Sequence, residues 1–263
     1  MYFLSASIGF KRYLAFTLAE VLIVLGIIGI VAEITLPTLV QSTQKTATIA
    51  QLKEFYSSFN QALSTYMQSQ GCSDMNCTGI FAGTAAQGSN ATAIDTAMKS
   101  VLKINKTCLY NASGCDAMFS TPLKYIDKSS ANSFLQYGHA FATANGAIFA
   151  ILDSTSGANE CGTTSKGSCG NVYVDLNGAK GPNVWGMDIF DFVITNSGLL
   201  YPQYSKNYSA GWDWRDTPGA CGEAGSTAIV SGEIGDCSGR IMDNGWVIDY
   251  YGNSGPSSPP AGT

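Results

Sequence analysis

Between Leu18 and Val40 the chain is apolar for about the twenty residues that a bilayer-spanning helix needs, with Glu20, Glu33, Thr35 and Pro37 as the main exceptions. A carboxylate in such a stretch is costly in lipid and calls for a reason. Lys11 and Arg12 stand just before the stretch, and no acid precedes it. That bias places the N-terminus in the cytoplasm and everything after the helix outside the inner membrane.

The cysteines agree with this placement. All eight (Cys72, Cys77, Cys108, Cys115, Cys161, Cys169, Cys221 and Cys237) follow the apolar stretch. An even set on that side of a membrane segment implies disulfides in an oxidising compartment. Eight cysteines allow roughly a hundred pairings. The pairings that close short loops are 72–77, 108–115, 161–169 and 221–237. Zinc is the rival use, but CxxC spacing is missing and His139 is the lone histidine.

The leader block Lys11-Arg12-Tyr13-Leu14-Ala15-Phe16-Thr17-Leu18-Ala19-Glu20 and its apolar continuation resemble the prepilin cleavage and methylation signature of type IV pilins and type II secretion pseudopilins. The resemblance implies cleavage at Ala15–Phe16 by a cytoplasmic-face prepilin peptidase, followed by N-methylation of Phe16. Glu20 is then the fifth residue after the cut, as the family requires. It is implied to pair with the N-terminal amine of a neighbouring subunit during assembly. Pro37 falls where many members carry a helix-kinking proline, which removes one backbone hydrogen bond. Ala15 stands where the family usually has Gly, and Glu33 is a second acid without a family counterpart. A cleavable secretory signal would need small residues after the apolar region, and 32–37 offers no clean site. A plain membrane anchor leaves Glu20 without a role.

The helix is expected to continue outside the membrane. Ile49, Leu52, Phe55, Tyr56, Phe59, Leu63 and Tyr66 recur at spacings of three and four, forming one apolar stripe. Gly71-Cys72 ends it. If continuous from residue 16 to residue 70, the helix is about 80 Å long. The expected organisation is a leader at 1–15, a transmembrane and assembly helix at 16–40, and its amphipathic continuation at 41–71. A disulfide-rich β domain at 72–251 and a flexible tail at 252–263 complete it. The fold class is α+β, with the long helix packed on an antiparallel sheet.

Only 13% of residues are charged, and 29 of 263 are glycine, which favours a loop- and strand-rich exterior. A short helix is expected over 92–102. Strands are expected at 139–143, 147–152, 172–176, 188–195, 229–230 and 246–251, separated by Asn-Gly and Ser-Gly turns. Little periodicity marks 103–131. Trp246, Ile248 and Tyr250 alternate, as one face of a final hairpin would.

The segment from Val172 to Phe192 carries Asp175, Asn177-Gly178, Gly181-Pro182-Asn183, Gly186 and Asp188. It resembles a strand–loop–strand element of the same pilin-like proteins, some of which hold calcium in a C-terminal loop. Asp175, Asn177 and Asp188 are the candidate oxygen ligands for Ca²⁺, which takes about six to eight. The other reading is a turn in which Asp175 and Asn177 bond backbone amides and Gly178 takes positive φ. Trp185, Trp212 and Trp214 are candidate contacts for sugar rings or a partner surface, or else pack locally.

Net charge is −5, and loss of Lys11 and Arg12 with the leader takes it to −7. Such a chain repels phosphate, so no nucleic-acid partner is expected. No catalytic motif appears, His139 sits in a strand-like context, and no enzyme is expected. The resemblance implies a filament subunit, with the prepilin peptidase/methyltransferase, an inner-membrane platform, an assembly ATPase and other pilins as partners. The alternative is a minor tip pilin or adhesin that binds a glycan, a surface or DNA, a reading the size of the processed chain favours. An enzyme carried on a pilin anchor is a third class.

Overall fold

The computed structural model describes residues 17–81, 90–109, 123–125, 138–153, 161, 168–202 and 236–250. The chain divides into two units, Met1–Thr43 and Gln44–Thr263. Helix α1 spans Leu18–Ser69 and contributes to both, with Pro37 inside it.

In the first unit the α1 side chains are apolar on every face and solvent-facing. Leu18, Leu22 and Ile23 are 80%, 60% and 62% exposed. The helix is long and apolar enough to cross a membrane. In the second unit one stripe of α1 is buried. Leu52, Phe59 and Leu63 are sealed, while Ile49, Phe55, Tyr56 and Tyr66 pack at the core's edge. The helix stops where expected: Gly71 takes φ +67°, and the Cys72 and Gly71 N–H groups donate to Met67 and Gln68 carbonyls.

The sheet beneath that stripe has six antiparallel strands in sequential order: β1 (Ile104–Cys108), β2 (His139–Thr143), β3 (Ile148–Asp153), β4 (Ser168–Asp175), β5 (Ile189–Thr195) and β6 (Leu200–Pro202). One face meets α1 through aromatic contacts: Phe59 with Phe149 at 5.4 Å and Tyr56 with Phe192 at 5.9 Å. The other face carries Ala140, Ile148, Ala150 and Ile189 under Leu123, Tyr125 and Trp185. Both faces are therefore covered, and every residue of β5 is buried, which is why its sequence is a nearly unbroken apolar run. Helix α2 (Ala91–Val101) buries Ile94, Ala97 and Met98.

Two strands escaped the sequence. In β1, Ile-Asn-Lys-Thr-Cys carries a polar edge strand with a bulge, so alternation is absent. In β6 only three residues pair, after the Ser197-Gly198 turn, and the Leu200 N–H is taken instead by Asn60 Oδ1 of α1 at 2.6 Å.

The expected strand at 246–251 is not formed as far as the described residues reach. Asp236–Asp243 is helix α3, and Asn244-Gly245 is its C-terminus rather than a hairpin turn. Gly245 takes φ +72°, and the Trp246 and Gly245 N–H groups donate to the Ile241 and Met242 carbonyls. Trp246 itself sits at φ +66°, outside the β region, although Ile248 is buried and Trp246 and Tyr250 pack against the same core. Strand 229–230 and the tail from 252 lie outside the described residues.

Cys72 joins Cys77, and Cys161 joins Cys169. Cys108 and Cys237 are also disulfide-bonded, and their partners lie outside the described residues.

Candidate functional site

Two polar features stand out, one in each unit. The first is the entrance of α1. Thr17 precedes the first helical residue, and Glu20 sits three positions on. The Thr17 N–H donates to Glu20 Oε2 at 2.9 Å, and the Thr17 hydroxyl donates to the same oxygen at 3.0 Å. The Glu20 N–H donates to Thr17 Oγ1 at 3.2 Å. This reciprocal capping box satisfies donors that a helix start leaves open, and it fixes the carboxylate against the helix end. Glu20 Oε1 has no partner among the described residues. Thr17 was not singled out in the sequence, although Thr-x-x-Glu before an apolar run is its signal. Ala15 and Phe16, the implied cleavage pair, lie outside the described residues.

The second feature is the connection between β4 and β5. Asp175 ends β4 fully buried, and its Oδ1 accepts the N–H groups of Asn177 at 3.1 Å and Gly178 at 2.9 Å. Gly178 has φ +63°, and a Cβ there would meet the Gly146 carbonyl at 2.1 Å, so only glycine fits. Asp188 closes the other end of the loop. Its Oδ1 accepts the Val184 N–H at 2.6 Å, and its Oδ2 accepts the Asn183 N–H and the Asn177 Nδ2, both at 2.9 Å. Asn183 is buried at φ +52°, a conformation that Asn tolerates better than most residues. The sequence placed it in the Gly181-Pro182-Asn183 run but not among the candidate ligands. Asp175, Asn177 and Asp188 are thus brought together.

Burial, with the Asp188 charge nearby, pushes the Asp175 carboxyl up to about 8 despite its two backbone bonds. Burial also raises Asp188, against the N–H groups that hold it. No lysine or arginine bonds either carboxylate among the contacts described. Asp175 Oδ2 and Asn177 Oδ1 are buried without a hydrogen-bond partner, and such oxygens are costly. The donor set therefore fits a hard cation such as Ca²⁺, which prefers oxygen ligands. Asp175 and Asn177 would hold it with Asp188 alongside, and it would supply positive charge. No group of three or more His, Cys, Asp or Glu gathers as a metal cluster among the described residues, so amide and backbone oxygens would have to complete the shell.

His139 is a buried histidine on β2. It is 2% exposed, lies 3.3 Å from Asp95 Oδ1 through Nε2, and sits edge-on to Phe141. Burial lowers its pKa against the pull of Asp95. Of the two readings of Trp185, local packing holds: it is buried against Tyr173 at 5.9 Å. Trp212 and Trp214 lie outside the described residues. Between α1 and the β2–β3 turn, a crevice of about 330 Å³ is floored by Phe55, Phe59 and Phe149 and edged by Glu54 and Lys103.

No family model, no curated protein and no solved structure matches the chain.

Proposed function

We propose that this chain is a prepilin-like structural subunit. It is cleaved at Ala15–Phe16, N-methylated on Phe16 and polymerised through α1 into a type IV pilus or a secretion pseudopilus. The observation that carries the reading is the entrance of α1, where a capped carboxylate opens a helix whose apolar side chains are exposed all round. Such a helix needs an apolar environment, and lipid and a bundle of like helices both provide one. Lipid penalises Glu20, whereas a bundle offers it the Phe16 amine of a neighbour. That Thr17 engages only Oε2 of Glu20 supports this pairing, since it leaves Oε1 for the amine. The difference favours the filament.

In this reading the N-terminus is cytoplasmic, the second unit lies outside the inner membrane, and the disulfides form there. The partners are a prepilin peptidase/methyltransferase, an inner-membrane platform, an assembly ATPase and other pilin subunits. Glu20→Ala tests it. Cleavage at residue 16 is expected to persist while incorporation into sheared filaments drops at least tenfold. Normal incorporation overturns the role given to Glu20.

We also infer that the β4–β5 loop takes a calcium ion, supported by the partnerless buried oxygens of Asp175 and Asn177. Its role is to hold the loop's two buried acids together.

A further inference from the structure

The sequence contains five Asn-x-Ser/Thr triplets, at Asn76, Asn90, Asn105, Asn111 and Asn207. This triplet is the acceptor for N-linked sugar in exported chains, provided the asparagine side chain is accessible. Asn111 and Asn207 lie outside the described residues. Of the other three, the fold rules out Asn90, whose Nδ2 faces Asp153 Oδ2 at 3.4 Å in a partly buried setting at the start of α2.

Asn105 is different. It lies on β1, the edge strand of the sheet, between Ile104, which pairs with Thr143, and Lys106, which pairs with Ala142. It is thus the extra residue of a β-bulge, a device that re-aims a side chain and that recurs at sheet edges. Asn105 and Lys106 are exposed, and the Asn105 amide has no hydrogen bond among the described residues. Thr107 follows at the required position.

Asn76 is presented in another way. The Cys72–Cys77 disulfide closes a short loop after α1, and Asp74 Oδ1 accepts the Cys77 N–H at 2.8 Å. The Asn76 backbone N–H is tied to Asn196 Oδ1 at 3.1 Å, while its side chain is exposed and makes no hydrogen bond of its own. Thr78 stands two residues on. Two unrelated local structures therefore hold a free carboxamide outward, each with a threonine at the second position after it.

We propose that Asn76 and Asn105 are acceptors of N-linked glycan. The donor is an oligosaccharide carried on a lipid pyrophosphate. The carboxamide nitrogen forms a bond to the anomeric carbon, the bond from that carbon to the pyrophosphate oxygen breaks, and the amide proton leaves to a base of the transferase. The lipid pyrophosphate is the leaving group. The inference rests on the second unit lying outside the membrane, as in the proposed topology.

The test is peptide mapping by mass spectrometry of the full chain purified from its native membranes, with and without reduction. Tryptic peptides holding Asn76 and Asn105 are expected to carry hexose-containing mass, and amidase release is expected to leave aspartate at those positions. Thr107→Ala is expected to abolish the mass at Asn105 and leave that at Asn76 unchanged. Disulfide-bonded cysteines with both asparagines bare overturn the glycan proposal alone. Reduced cysteines with bare asparagines overturn the topology beneath it.

Discussion

Helix α1 runs unbroken from Leu18 to Ser69, yet its two halves meet opposite fates. Leu22, Ile23 and Leu25 are about 60% exposed, whereas Leu52 and Leu63 are fully buried. The difference lies in polar content and its arrangement. The first half is apolar on every face and has no polar side to give to water. The second half confines its apolar residues to one stripe that a sheet covers. An all-round apolar helix is matched to lipid or to other helices, and a striped one to a domain core. The proposed division of labour, assembly in one unit and display in the other, matches that pattern.

The contrast predicts a large asymmetry in stability. Phe59→Ala removes a ring held between Phe55 and Phe149 and is expected to cost about 3–5 kcal/mol in denaturant unfolding of the second unit, followed in the full chain in detergent. Leu25→Ala is expected to leave that transition unmoved. A comparable loss from both substitutions breaks the comparison.

The next effect is at the β4–β5 loop. Folded Asp175 holds its proton to about pH 8, while the unfolded group releases it near 3.8. Stability from this group is therefore full below 3.8 and is lost as pH rises through about 8. Asp175→Asn keeps an oxygen for the Asn177 and Gly178 N–H groups and removes the charge. In calcium-free buffer at pH 7–8 it is expected to stabilise the domain by about 1–3 kcal/mol and to flatten the pH dependence. Adding millimolar Ca²⁺ is expected to raise the melting temperature of the unsubstituted chain and leave Asp175→Asn much less affected. No response of either protein to Ca²⁺ removes the cation and leaves a hydrogen-bonded turn.

A smaller effect belongs to the end of α3. Gly245→Ala places a Cβ at φ +72° and is expected to cost about 1 kcal/mol, read from the same unfolding curve. Smallest is Lys99→Ala, which breaks an exposed i,i+4 pair with Asp95 and is expected to change stability by no more than about 0.5 kcal/mol.

The sequence made the long helix, its stripe and its stop legible, because each rests on local chemistry: 3.6-residue periodicity and a glycine at positive φ. It also marked β2, β3, β4 and β5 to within a few residues, since two are joined by an Asn-Gly turn and all carry apolar runs. It could not show β1, whose polar, bulged strand exists only because β2 pairs with it. Nor could it show that Asn244-Gly245 ends a helix, because the same dipeptide serves a hairpin and only the preceding residues' packing decides. At the loop, Asp175, Asn177 and Asp188 were legible as a group. Asn183 stood in the same run, but its buried, positive-φ role was not legible, since it depends on where Asp188 arrives. At the helix entrance Glu20 stood out by its cost in lipid, while Thr17 carried the quieter capping-box spacing that its bonds to Glu20 bring out.

The most direct test of the central claim is the intact mass and N-terminal sequence of the protein purified from its native membrane. The account predicts a chain that begins at N-methylated Phe16. A chain that still begins at Met1 in assembled material, or one that begins beyond residue 32, contradicts it.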